Sequence, residues 1–217
     1  MPWSWTRAIL VAPILWAMAG PATATPAIDF TSVTATYVDA GNRNVGWEFT
    51  PSQALSVTRL GFYDAGGDGL AQAHDVGLYT GAGALVTSAT VLSGTSSTLQ
   101  GVFRWVDIAP VSLNAGQLYV VGTYLAGTGD AWVWSGSVVG VNIIDLTVAP
   151  FIQVGAAGTA RYNCCSEVSL AYPATQIGGN RFVFVGANFD ATAVPEPGSL
   201  TLLAAGLTCF LFRRRSA

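Results

Sequence analysis

The chain has 217 residues, of which 51% are hydrophobic and only 10% charged, and its formal net charge is −3. It has no lysine, so a surface built to neutralise phosphate backbones is excluded and nucleic acid is a poor partner. Its three cysteines, at positions 164, 165 and 209, lack metal-site spacing, which excludes a disulfide framework and a structural zinc site.

Residues 1–24 read as a secretory signal peptide. Arg7 gives one positive charge, the apolar run 8–18 is too short for an ordinary span, and Ala22 and Ala24 are the small residues a signal peptidase accepts. Cleavage is expected after Ala24. The exported part, 25–193, is one domain by size and long enough to bury a core. Its arginines are Arg43, Arg59, Arg104, Arg161 and Arg181, set against every acidic residue of the chain except Glu196. The domain is therefore more acidic than the whole-chain charge suggests and could attract cations.

Within 25–193 the pattern is all-β. β-branched and aromatic residues are frequent, glycine is abundant, and no long 3.6-residue period survives. Strands are predicted at 33–38, 45–50, 55–63, 76–80, 85–92, 101–108, 118–124, 131–135, 143–148 and 181–187. Turn-forming Asp, Asn and Gly residues separate them, near 39–42, 64–69, 81–83, 114–116, 127–129 and 178–180. Many short strands at near-regular spacing predict a β-sandwich or jelly roll.

Three features invite a chemical reading. Asp64, Asp68 and Asp75 fall at positions one, five and twelve of a loop with Gly69 at six, a loose analogue of a calcium loop. Position three is Gly66, and Asp stands where a longer Glu is usual, so turn chemistry accounts for the same residues. His74 is the sole histidine and has no nucleophile motif near it, so a structural role within the acidic loop is expected. Trp132 and Trp134 lie two apart on a predicted strand and so share a face. Exposed, they would stack on sugar rings of an exopolysaccharide; buried, they are core. Phe103 and Trp105 have the same spacing. Glu48 and Asp107 are scattered acids, and sequence does not place them at glycosidase separation. The adjacent Cys164 and Cys165 could close a vicinal ring, bridge two chains or sit reduced in a loop.

The C-terminal tail is the most specific feature. Val194-Pro195-Glu196-Pro197-Gly198-Ser199 precedes the apolar run 200–212 and the cluster Arg213-Arg214-Arg215. Two prolines keep the peptide extended and accessible to a protease cleft. The run spans roughly 20 Å as a helix, short of the ~30 Å hydrocarbon core but tolerable as a temporary anchor. The arginines hold that end in the cytoplasm, leaving the domain outside. The tail at 194–217 resembles the PEP-CTERM sorting signal. That resemblance implies that an exosortase-type membrane protease reads Pro195, Glu196 and Pro197, in Gram-negative bacteria that make exopolysaccharide. Those three residues would then be substrate, not catalyst.

The stretches 61–70, 74–79 and 113–122 are similar to small β domains of unknown function that often precede such tails. This resemblance implies a fold and almost no activity. The reading is of a non-enzymatic envelope or extracellular-matrix protein, with a carbohydrate-binding module as its alternative.

Overall fold

The structure is a computed structural model, and it describes residues 23–38, 41–127, 129–136, 143–155, 159–178 and 181–194. Residues 1–22 of the expected signal peptide, the tripeptide Pro195, Glu196, Pro197 and the apolar run 200–212 lie outside the described residues. Among the described residues no helix is long and apolar enough to cross a membrane.

The described residues are all-β, and every strand pair among them is antiparallel. The chain opens with β1 (Thr25–Pro26) and β2 (Ile28–Asp29), followed by the long strands β3 (Arg43–Pro51) and β4 (Leu55–Tyr63). A glycine-rich loop then leads to β5 (His74–Thr80) and β6 (Leu85–Val91). The next strands are β7 (Thr98–Gln100), β8 (Phe103–Leu113), β9 (Tyr119–Leu125) and β10 (Val133–Gly136). Four short pieces follow: β11 (Thr147–Val148), β12 (Ile152–Gln153), β13 (Ala160–Cys164) and β14 (Thr175–Gln176). The chain closes with β15 (Arg181–Val185) and β16 (Ala187–Ala193).

Two sheets dominate. One has the order β1-β16-β4-β8-β7; the other runs β14-β13-β3-β9-β5-β6, with β12 also on β3. They pack face to face, because each strand alternates its side chains and the apolar set of each sheet turns inward. Rings from both sheets meet between them. Phe49 of β3 lies 4.5 Å from Phe189 of β16, and Trp47 donates its indole N–H to the Ala187 carbonyl at 3.0 Å. Phe62 of β4 stacks flat on His74 of β5 at 3.6 Å.

β3 is buried on both faces. Its second face carries Asn44, Gly46 and Glu48. Gly46 pairs with Gly122 of β9, which pairs with Gly77 of β5, so a row of glycines crosses three strands. The segment 167–174 folds over this face. Asn44 donates to Glu167 and Ser169 and accepts from the Ala171 N–H, while a Cβ on Gly122 would lie 3.1 Å from the Pro173 ring.

Several expected strands changed. The stretch 33–38 makes only isolated bridges at Val33 and Tyr37, and 143–148 pairs as a strand only at 147–148. The run 181–187 divides at Gly186 into β15 and β16, which belong to different sheets.

Candidate functional site

The end of the sheet that leads into the tail is built from backbone. β16 lies inside its sheet, between β1 and β4, with Ala193 opposite Leu55 and Thr25 opposite Ala191. Beyond the strand, Val194 still donates its N–H to the Ala54 carbonyl at 2.8 Å. The next residue is Pro195, which has no N–H to continue the ladder. The described sheet therefore holds the chain up to the residue before the tripeptide.

The opposite end carries most of the loop charge. Asp64 and Arg104 are buried there at 3% exposure each, and the Arg104 Nε donates to Asp64 Oδ2 at 2.6 Å. Arg104 also donates to the Ser97 and Gly67 carbonyls, and the Gly69 N–H donates to Asp64 Oδ2. The loop's turns need the positive φ of Gly66, Gly67 and Gly69, which glycine adopts without strain. Burial, and secondarily the Asp64 charge, raises the Tyr63 phenol above its ordinary range.

The proposed calcium residues part company here. Asp64 and Asp68 line one cleft of about 390 Å³, but the third acid on it is Asp130. Asp75 sits on β5, where it accepts from the Thr90 hydroxyl at 2.6 Å. Together with burial, which is the larger cause, it pushes the Tyr79 phenol up to about 12. Asp64 is committed to Arg104. Among the described residues no group of three or more His, Cys, Asp or Glu is placed to hold a metal ion.

His74 is structural in its contacts. Its Nε2 lies 2.8 Å from Asp130 Oδ2, its Nδ1 faces the Tyr124 carbonyl, and its ring lies on Phe62. Asp130 in turn accepts from the Ala71 and Gln72 N–H groups, tying two loops together. Arg104 and Asp130 were missed from sequence, because their partners lie tens of residues away. An arginine inside an apolar strand was the one available signal.

The tryptophan platform is not an open one. Trp132 is 4% exposed and Trp134 half-buried. Tyr37 lies across both at 5.3 and 5.7 Å, with Phe184 packed against Trp132 at 5.0 Å. Phe103 and Trp105 are likewise buried. Glu48 is paired with Arg161, and Asp107 lies opposite Arg59 across β4 and β8. Cys164 and Cys165 form a vicinal disulfide at the exposed end of β13.

An all-β domain that runs straight into a processing peptide defines a class: an exported cell-envelope protein that is itself a substrate for sorting. The chain matches two families. Residues 193–215 match the PEP-CTERM protein-sorting motif, which implies recognition and processing by an exosortase. Residues 29–167, more than half the chain, match the family described as Domain of unknown function (DUF4082), and the chain belongs to that family. The fold extends past that match, since β16 at 187–193 fills the interior of one sheet. No curated protein and no solved structure matches the chain.

Proposed function

We propose that this chain is a non-enzymatic envelope or matrix protein. Its signal peptide is removed after Ala24, its apolar run 200–212 anchors it in the membrane, and cutting at the tripeptide sends the β-sandwich onward. The observation that carries the reading is the junction: the last strand ends at Ala193, and the sorting match begins at that residue. Prolines at 195 and 197 disfavour helix, and a cut beyond the folded edge would leave the strands of the domain intact.

The non-enzymatic part draws support from the acids and the lone histidine. Asp64, Glu48 and Asp190 are tied to arginines, and both His74 ring nitrogens face oxygens. The exopolysaccharide-binding alternative rested on Trp132 and Trp134, and the cover of Tyr37 and Phe184 counts against it.

The test is Glu196→Gln in the native host, followed by fractionation. Accumulation of a larger, membrane-bound form supports the reading. Unchanged size and release would remove it.

A further inference from the structure

We infer that the sheet end at which the sorting motif leaves is the membrane-facing end of the exported domain, seated on the lipid headgroups of the outer leaflet while the tail is attached. The inference rests on the proposed reading of 200–212 as a membrane segment.

Backbone pairing gathers this end. Thr25 lies opposite Ala191, so the start of the exported part and the exit at Val194 leave the sheet together. Val194 is bonded to Ala54, Gly116 N–H to the Pro51 carbonyl, and Gly81 N–H to the Leu118 carbonyl. Those bonds bring the turns 52–54, 81–84 and 114–118 side by side.

The chemistry of this end differs from that of the other. Residues 23–25, the three turns and Val194 include no charged side chain, while Leu85, Leu118 and Val194 are exposed. The far end presents Asp68 and Asp130 beside the Asp64–Arg104 pair. Pressing the far end against headgroups would strip water from carboxylates, which is costly; the near end has no charged side chain to desolvate, and the α-ammonium that cleavage leaves on Thr25 would meet headgroup phosphates.

The tether limits the geometry. From Val194 to Leu200 there are six residues, which at full extension reach only about 20 Å. The nine residues of β4 set the two ends roughly 30 Å apart. The near end therefore stays at the bilayer and the clefts beside Asp64 point away from it.

The test uses the full chain carrying Cys209→Ser, reconstituted in phosphatidylcholine vesicles that contain a headgroup-nitroxide lipid. A fluorophore is placed on Ala115→Cys, with Gln53→Cys as a second reporter at that end, and on Ser96→Cys at the far end. The expected result is quenching several-fold stronger at 115 and 53 than at 96. Equal or reversed quenching on protein that floats with the vesicles overturns the orientation. Protein that does not float overturns the membrane-segment reading beneath it, so the two failures are distinguishable.

Discussion

Arg104 Nε lies 2.6 Å from Asp64 Oδ2, and both side chains are almost wholly withdrawn from solvent. A carboxylate so held is a structural clamp for the loop 64–69. Arg104→Met strands the buried Asp64 charge, and breaking such a pair costs about 3–5 kcal/mol. A urea melt should show that loss. Calcium at millimolar levels should leave the melting temperature of the wild-type domain unchanged; a rise of several degrees would return Asp64 and Asp68 to the role of ligands.

The glycine row makes a second prediction. A Cβ on Gly46 would overlap the Val121 carbonyl oxygen, which is backbone and cannot swing aside. Gly46→Ala should cost about 1–3 kcal/mol by overpacking. Gly116→Ala should act differently, since its Cβ meets nothing within 4 Å and only its φ of 72° is strained. Comparing the two in thermal melts separates steric overlap from backbone strain.

Asp190 sets a pH dependence. Burial raises its carboxyl above the ordinary 3.8, and the hydrogen bond and charge of Arg59 offset this only in part. Because the folded value is the higher one, its contribution is fully present below pH 3.8 and is lost as pH rises through the folded value. Asp190→Asn lacks that loss. The stability difference, variant minus wild type, should therefore grow as pH rises above 3.8 and then level off. Urea midpoints across that range check the sign; a flat difference would contradict it.

The vicinal disulfide predicts a thiol count. The purified domain 25–194 should take up no maleimide until a dithiol reductant is added, and then two equivalents. The pair lies at the exposed end of β13, so reduction should not require denaturant. The ring encloses no intervening residue, so its loss returns little entropy to the unfolded chain and should change the melting temperature little.

How far the sequence carried depends on what each feature needs. The strand 55–63 was readable to the residue, because its alternation and flanking turns are local. Tyr37 and Trp132 show the limit: 33–38 has strand composition, yet Tyr37 bridges to Trp132 and covers an aromatic cluster. Nothing within six residues reports that partner. β16 was mostly missed because Asn188 and Asp190 break its apolar pattern. Both are buried; the Ile28 backbone satisfies Asn188, while Arg59 reaches only Oδ2 of Asp190 and leaves its Oδ1 buried without a hydrogen bond. The acidic loop was found, with calcium and turn chemistry both open, but its partners were not: Asp75 and Asp64 are close in sequence, while the side chains that hold them are Thr90 and Arg104. The sorting peptide was legible because its signal is carried by consecutive residues, the same stretch the sorting-motif family matches.

The most direct test of the central claim is the intact mass of the processed protein recovered from the native host. The account predicts a chain that begins at Thr25 and retains all of β16, ending at or beyond Val194, since the sheet holds every residue up to that point. A product cut within 187–193, or one still carrying residues 1–24, would contradict it.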